Sequence, residues 1–106
     1  MRNQILLTLS ISLIVLQAFG YDEKDLARLR STSKCVKCDL IKADLGGFFL
    51  ISASLKSANL KGAKLQGANL TDTNLLEANL FGANLTGTNL TEANLSHADL
   101  SEANLD

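Results

Sequence analysis

Residues 82–95 read GANLTGTNLTEANL and place a leucine at every fifth position, at Leu85, Leu90 and Leu95. A regular α-helix turns by about 100° per residue, so this spacing would scatter the leucines around the helix and leave no buried face. A straight strand alternates its side chains between two faces, so an odd spacing would place every second leucine in water. Only a chain that bends once per repeat keeps all of them on one side.

The other positions of the repeat supply the bend. A small residue, such as Ala83, lies two positions before each leucine and shares its face in a short extended segment. The two residues between one leucine and the next small residue must form the corner. Gly47, Gly62 and Gly67 fall at the second of these positions, where a type II turn has a positive φ that glycine adopts at little cost. Five later repeats have another residue at this second corner position, and there we expect type I-like corners or a mixture of turn types: Asp72, Glu77, Glu92, His97 and Glu102.

This repeat extends over most of the chain. Leucine recurs at every fifth position from Leu40 to Leu105, fourteen times in succession. The small position holds mostly alanine or threonine. Cys38 occupies it in the first repeat, and Phe48 is the one large residue found there. Such repetition is typical of a solenoid, in which each unit buries its apolar residues only by stacking on its neighbours.

The tandem units, written SANLKGAKLQGANL and SEANL in this chain, resemble the A-N-L-x-x motif of the pentapeptide-repeat family over residues 38–106. The resemblance implies an all-β solenoid, a right-handed quadrilateral β-helix with four repeats per coil. The leucine and the small residue would then both point inward, and fourteen repeats would form about three and a half coils. We therefore assign residues 35–106 to the solenoid.

The N-terminal residues 1–20, MRNQILLTLSISLIVLQAFG, have the pattern of a signal peptide. A basic start at Arg2 is followed by an apolar stretch from Ile5 to Leu16 and then by small residues around Gly20. The alternative is a membrane anchor, but the apolar stretch is shorter than the roughly 20 residues that a span requires. We expect export with cleavage after Gly20 and no membrane span in the mature protein.

A short helical cap is expected in residues 21–34. Three acidic residues within positions 22–25 precede Arg28 and Arg30, an order that complements the helix dipole. We expect a helix from about Asp22 to Arg30 whose two leucines cover the open N-terminal end of the solenoid. A docking helix for a partner is the other interpretation.

Two cysteines, Cys35 and Cys38, follow the predicted helix. A zinc site needs about four ligands, and the one histidine, His97, lies far along the chain. A thioredoxin-like redox pair usually starts a helix within a βαβ unit, which this sequence lacks, and a redox enzyme would need an exposed thiolate of low pKa. In the repeat phase both cysteines point inward across one corner, and an exported chain meets oxidising conditions. We predict a structural disulfide that staples the first corner beneath the helix.

The opening CxxCDL, followed at once by A-D-L repeats, also resembles a group of exported cyanobacterial and plastid pentapeptide-repeat proteins. Several members of that group belong to the thylakoid lumen or the periplasm. The resemblance therefore implies an exported location, in the periplasm, the thylakoid lumen or outside the cell, and it supplies no mechanism.

Charge is distributed unevenly along the chain. Residues 21–64 carry nine Lys or Arg and five Asp or Glu, whereas residues 65–106 carry six acidic residues and no Lys or Arg. Some pentapeptide-repeat proteins shield topoisomerases by imitating duplex DNA with a long acidic rod. The acidic C-terminal half of this chain resembles such a rod. A DNA-mimicking regulator of a topoisomerase or other nucleic-acid enzyme is therefore the alternative function. The export signal and the short rod argue against it, so no nucleic-acid partner is expected.

A filled rod with flat walls has no concavity in which polar groups could converge on a substrate. We therefore predict no catalytic, cofactor-binding or metal-binding residue and no small-molecule substrate, and we interpret His97 as a surface residue. The asparagines before the leucines are expected to point outward and to form local hydrogen bonds. Four of them also form glycosylation sequons that would matter only in a eukaryotic secretory host: Asn69, Asn84, Asn89 and Asn94.

Two places favour contact with an unknown protein partner. Phe48 and Phe49 break the repeat after two glycines, so we expect a bulge at residues 46–51 that leaves an aromatic ring partly exposed. Leu76 and Phe81 point outward by phase, with Ile41 two coils below Phe81, and clustered apolar residues can mark an interaction surface. The last coil has no predicted cap and could form an end-to-end homodimer. The sequence thus favours a non-catalytic, exported structural or protein-binding module.

Overall fold

The computed structural model of the protein describes residues 20–106, so the predicted signal peptide lies outside the described residues except for Gly20. One α-helix, α1 (Glu23–Thr32), precedes the repeats. After α1 the described chain has no strand longer than one bridged residue. Every bridge is parallel and joins residues 20 positions apart, from Lys34–Ser54 to Asn84–Asn104. The chain therefore returns to the same place every four repeats.

Each 20-residue coil has four sides because each repeat turns one corner. The coils comprise residues 34–53, 54–73, 74–93 and 94–106. We number the walls by the outward residues at their centres, which stack in columns. Wall 1 holds Lys34, Ser54, Asn74 and Asn94; wall 2 holds Asp39, Asn59, Asn79 and Asp99; wall 3 holds Asp44, Lys64, Asn84 and Asn104; wall 4 holds Phe49, Asn69 and Asn89.

Residues 78–82 show where the backbone N–H groups of one repeat go. Ala78 donates to the carbonyl of Leu75 and closes a corner, and Asn79 donates to the coil before it. Leu80 and Gly82 donate to the coil after it. The remaining amide, that of Phe81, donates to the Oδ1 of Asn79 at 3.0 Å. The predicted local hydrogen bonding of the asparagines is therefore confirmed. The asparagine side chain supplies an acceptor for the one amide of the repeat that has no carbonyl acceptor.

Leucines and small residues fill the interior. The leucines from Leu40 to Leu85 are buried, as are most of the small residues that share their faces. Thr73 is the buried polar residue among them, and its hydroxyl donates to the carbonyl oxygen of Leu50 at 2.6 Å. Burial fades in the last coil, where Leu105 is 58% exposed. Within residues 20–106 no further coil stacks on that end.

All corners have the same backbone form, whatever residue occupies them. The second corner residue has a φ between 66° and 71° at the glycines and close to 58° elsewhere. The amide of Asp72, for example, donates to the carbonyl of Thr91 in the next coil at 2.9 Å. Such bonds hold each corner to the shape of its neighbours and override the preference of the single residue. The expected type I-like corners were therefore wrong at all five positions: Asp72, Glu77, Glu92, His97 and Glu102.

The bulge expected at residues 46–51 was also wrong. Gly47 donates to the carbonyl of Gln66 at 3.0 Å, as corner residues do elsewhere, and the first coil keeps the register of the others. Phe48 fits without a bulge because no coil lies beneath it. Its ring is half-buried against the core, and the guanidinium carbon of Arg30 in α1 lies 5.5 Å from the ring centroid.

The helix α1 is capped at both ends and packs on the first coil. The Asp22 carboxylate accepts hydrogen bonds from the amides of Lys24 and Asp25 at the N-terminus. The helix ends at Thr32, two residues beyond the predicted end at Arg30, and Ser33 with a left-handed backbone caps it. Leu26 and Leu29 are buried in the same cluster as the solenoid leucines. No helix within residues 20–106 is long and apolar enough to cross a membrane.

Candidate functional site

The two predicted site cysteines meet under α1. Cys35 and Cys38 are joined by a disulfide with an S–S distance of 2.02 Å, and both are buried. The Cys35 Sγ lies 3.2 Å from the carbonyl oxygen of Asp25, and Nη1 of Arg28 lies 3.9 Å from the Cys38 Sγ. The bridge thus lies between the first corner and the helix. With both sulfurs bonded, this form offers no thiolate for redox chemistry.

The helix also completes the hydrogen bonding of the first coil on walls 1 and 2. In later coils a wall residue donates to the coil beneath it, as Asn59 does to the carbonyl of Cys38. In the first coil the Asp39 amide donates instead to the Asp25 carboxylate at 2.8 Å, and the Lys34 amide donates to the Thr32 hydroxyl at 3.1 Å. Side chains at the two ends of α1 therefore replace the missing coil. Sequence reasoning missed this role of Asp25.

Walls 3 and 4 of the first coil lack such partners. Within residues 20–106 the amides of Asp44 and Phe49 have no hydrogen-bond acceptor, and their carbonyl oxygens have no donor. We call residues 44–51 of the first coil the open edge. A cleft of about 280 Å³ lies on α1 at this end, next to Arg30; its lining residues are Tyr21, Glu23, Leu26, Ala27 and Arg30.

Exposed apolar side chains accompany the open edge. Phe49 is 82% exposed, and Ile51 at the following corner is about half exposed. Asn69 and Asn89 occupy the column of Phe49 in the next two coils, so the fold itself does not require an aromatic residue there. Phe48 and Phe49 are adjacent in sequence but differ in environment, because Phe48 packs under α1 and Phe49 faces solvent.

The second predicted cluster lies on the two corners that flank wall 2. Leu76 is half-buried on one corner, and Phe81 is 39% exposed on the other. Lys61 lies between Ile41 and Phe81 in the same corner column, and its Nζ is 5.7 Å from the centroid of the Phe81 ring. A cation–π contact of this kind contributes about 0.5–1 kcal/mol at exposed sites. Residues 20 positions apart share a column, which is why Ile41, Lys61 and Phe81 lie together. That spacing does not predict that the Lys61 ammonium lies over the Phe81 ring.

The two flanks of wall 2 carry matching sequences. Each flank runs apolar, lysine, apolar, serine from the first coil to the fourth: Val36, Lys56, Leu76 and Ser96 on one corner, and Ile41, Lys61, Phe81 and Ser101 on the other. Between the flanks, the side chain and the amide of Ser101 hydrogen-bond the Asp99 carboxylate and hold its pKa below the ordinary value. Lys56 and Lys61 therefore flank wall 2 in the second coil, whereas Asp39 and Asp99 lie on the wall itself in the first and fourth coils.

No side-chain cluster suited to metal binding is found in the described part of the chain. Residues 20–106 contain no group of three or more His, Cys, Asp or Glu that could hold a metal ion. His97 is exposed on a corner, with a φ of 58°. The exposed apolar side chains and the unpaired backbone groups of the open edge are features that suit contact with another polypeptide.

Comparison with known proteins identifies the family. The family described as pentapeptide repeats matches residues 33–72 and 73–106, so the chain belongs to the pentapeptide repeat family. Members of this family form right-handed quadrilateral β-helices and are generally non-catalytic structural or binding modules. The family predicted from the A-N-L-x-x motif is therefore confirmed, and the four-walled coil agrees with it.

Two solved structures are similar to this chain. A pentapeptide repeat protein from the thylakoid lumen of Arabidopsis thaliana is 34% identical with a TM-score of 0.58, over 58% of this chain and 43% of that one. The aligned part is thus less than half of the lumen protein. A pentapeptide repeat protein from the cyanobacterium Cyanothece 51142 is 25% identical with a TM-score of 0.53, over 78% of this chain and 98% of that one. No match was found among curated proteins.

Proposed function

We propose that the protein is an exported, non-catalytic module that binds another protein. In this proposal residues 1–20 are a signal peptide, residues 21–34 a helical cap and residues 35–106 the solenoid. The observation that carries the proposal is the exposure of Phe49 and Phe81 on a rod whose outward positions are otherwise mainly Asn, Thr, Ser and charged residues. Apolar residues that the fold does not bury are candidates for contact with a partner.

Wall 2 and its flanks form the first proposed contact surface. Leu76 and Phe81 offer apolar area on either side of the flat column of wall 2, and Lys61 can remain over the Phe81 ring or move aside for a partner. A photo-crosslinking residue in place of Phe81 should capture a protein in the native cell. Ser101 lies in the same corner column one coil later, and the same residue there is the control. Capture from position 101 but not from position 81 would contradict this surface.

Export is supported by three independent features. The N-terminal pattern is that of a signal peptide, the cysteines form a buried disulfide, and a similar structure comes from a thylakoid lumen. The test is the intact mass of the protein from its native cell, with free thiols trapped at lysis. We expect a mass that lacks residues 1–20 and two hydrogens. A full-length chain with two trapped thiols would refute export and the bridge together.

A capping role for α1 is the structural part of the proposal. Leu26 and Leu29 cover the interior, and Asp25 and Thr32 supply hydrogen-bond partners to the first coil. Removal of the carboxylate in Asp25→Ala should leave the Asp39 amide without its acceptor and speed its hydrogen exchange. Lys24→Ala, an exposed change on the same helix, is the control. Equal exchange rates at Asp39 in both variants would contradict the role of Asp25.

The end-to-end homodimer stays a prediction about the C-terminal end of the solenoid, which the fourth coil and wall 4 of the third coil form. Leu105 is 58% exposed, and the amides of Leu90, Leu95 and Leu100 have no acceptor within residues 20–106. Such an edge can pair with a second copy. Sedimentation equilibrium should detect the dimer, and Leu105→Asp should abolish it. A monomer at all concentrations would refute the prediction.

A further inference from the structure

We propose that the open edge, residues 44–51 of the first coil, binds an extended acidic segment of a partner protein, which adds to the solenoid as a strand. This inference rests on the proposed function in that its partner is a protein. It concerns a different surface, since the open edge lies on walls 3 and 4 and not on wall 2. Three properties of the edge support it: its backbone groups, its shape and its charge.

The backbone of the open edge has the hydrogen-bonding groups that a strand requires. Lys64 and Asn69 in the second coil donate to Ala43 and Phe48, but the corresponding amides of Asp44 and Phe49 have no acceptor within residues 20–106. The α1 side chains that serve walls 1 and 2 do not reach them. Unpaired N–H and C=O groups at a sheet edge are the template for strand addition, in which main-chain hydrogen bonds provide affinity.

The shape of the edge permits close approach of a second backbone. Gly46 and Gly47 form the corner between walls 3 and 4, whereas the other corners of the first coil carry Val36, Ile41 and Ile51. A Cβ atom on Gly47 would meet nothing within 4 Å. A Cβ atom on Gly46 would lie 3.4 Å from Oδ1 of Asp44, so a partner strand that follows the chain around this corner meets the Asp44 carboxylate but no side chain of the two corner residues.

The side chains next to that corner favour an apolar strand face. Phe49 and Ile51 are exposed on one side of it, and the half-buried Phe48 ring lies under Arg30. Alternate residues of an extended peptide point to the same face and can contact these groups. Since Asn69 and Asn89 fill the column of Phe49 elsewhere, a role in binding explains the aromatic residue at position 49.

The charge at this end selects an acidic partner. Arg30 lies next to Phe48, Lys42 occupies the corner that precedes wall 3, and Lys64 is the wall residue paired with Asp44. Asp44 is the acidic residue of the open edge, and its carboxylate accepts a hydrogen bond from the Gly46 amide at 3.2 Å. Residues 21–64 as a whole carry nine basic and five acidic residues. A net positive surface raises the association rate of an acidic segment and disfavours a basic one.

The test uses the full chain and a labelled decapeptide of alternating aspartate and valine, followed by fluorescence anisotropy. The same peptide with lysine for aspartate, and one with alternate amides N-methylated, test charge and main-chain bonding. We expect the aspartate–valine peptide to bind at least about tenfold more tightly than either, a difference of about 1.4 kcal/mol. Equal binding of the three peptides, or no binding of the first, would overturn the proposal.

Two variants locate the binding. Phe49→Asn installs the residue found twice in the same column, so it should fold and bind at least about tenfold more weakly. Phe81→Ser installs the residue of the next coil in the corner column of Phe81 and should bind as the parent does. Equal affinity of the Phe49→Asn variant and the parent would overturn the assignment.

Amide exchange of the parent gives a second readout. The peptide should slow exchange at Asp44 and Phe49 and leave Leu90, an unpaired amide at the far end, unchanged. Slowing at Leu90 alone would overturn the assignment to the open edge. If Phe81 crosslinks a partner but the decapeptide does not bind, this inference fails and the proposed function stands. If the decapeptide binds and Phe81 captures nothing, the wall 2 surface fails.

Discussion

The first and the third coil of the solenoid follow the same backbone path but contain different chemistry. The third coil has leucines and small residues inside and asparagines at its wall centres. The second coil stacks on one side of it, and the fourth coil pairs with its walls 1 to 3 on the other. The first coil has a disulfide at one corner, two phenylalanines, a pair of glycines, and α1 over half of its lower edge. A middle coil only has to stack, whereas the first coil has to end the stack. The residues that depart from the repeat are concentrated where that task, or binding, requires them.

A first way to test this comparison is to make the same cavity in both coils. Leu40 in the first coil and Leu80 in the third are both fully buried. If α1 covers the end as tightly as a coil would, Leu40→Ala and Leu80→Ala should each lower the free energy of unfolding by about 2–5 kcal/mol. Urea denaturation measures the change in the free energy of unfolding for each variant.

The exposed Leu105 provides the control for this pair. Leu105→Ala should change the free energy of unfolding by no more than about 0.5 kcal/mol. If Leu40→Ala lowers the free energy of unfolding by as little as Leu105→Ala does, α1 does not seal the first coil.

A second test removes the covalent link that only the first coil has. Cys38 occupies the small position that Ala58 and Ala78 hold on the same side of later coils, so Cys35→Ala with Cys38→Ala should fold. Loss of so short a loop should lower the free energy of unfolding by about 2 kcal/mol. Thermal unfolding checks this, and reductant should produce the same loss in the parent but none in the variant. An additional loss in the variant under reductant would contradict the explanation.

A third test concerns a hydrogen bond that threonines of the second and third coils donate to the coil before them. Thr73→Val keeps the shape of a fully buried side chain and removes its hydroxyl, which donates to the carbonyl of Leu50. We expect a loss of about 1 kcal/mol in the free energy of unfolding. Thr88 makes the same bond to Leu65 but is only partly buried, so Thr88→Val should cost less. The reverse order in denaturant titrations would show that burial does not set the value of this bond.

The smallest expected effect on stability comes from the residue that departs most visibly from the repeat. Phe49→Asn should provide an Oδ1 acceptor for the Ile51 amide, as Asn69 does for Thr71. We expect an increase of about 0.5 kcal/mol in the free energy of unfolding, together with the loss of peptide binding described above. Asn69→Phe, the opposite change one coil later, should lower the free energy of unfolding. A loss of stability in Phe49→Asn would mean that the aromatic residue serves the fold.

The period of the leucines was sufficient to predict the core from Leu40 to Leu85, because burial in a solenoid depends on phase alone. The local bonds of the asparagines followed from the same phase. The corner at Asp72 was predicted wrongly, since residue preference is a property of an isolated turn and the observed φ is imposed by bonds between coils.

Features of the first coil depend on where α1 lies, and the repeat contains no information about that. The bulge at residues 46–51 was predicted because Phe48 would overfill a coil, whereas its ring is half-buried at the end of the core next to Arg30 of the helix. The bond from Asp39 to Asp25 and the open edge at Asp44 could not be predicted for the same reason. The cover of Phe81 by Lys61 depends on a lysine rotamer, which phase does not determine.

The most direct test of the account compares positions 49 and 69 in the living cell. They lie in the same column of wall 4, one coil apart, so a photo-crosslinking residue at either site has the same backbone setting. We expect a crosslinked partner protein from position 49 and none from position 69. Equal crosslinking from both positions, or from position 69 alone, would contradict the claim that the open edge of the first coil binds a partner protein.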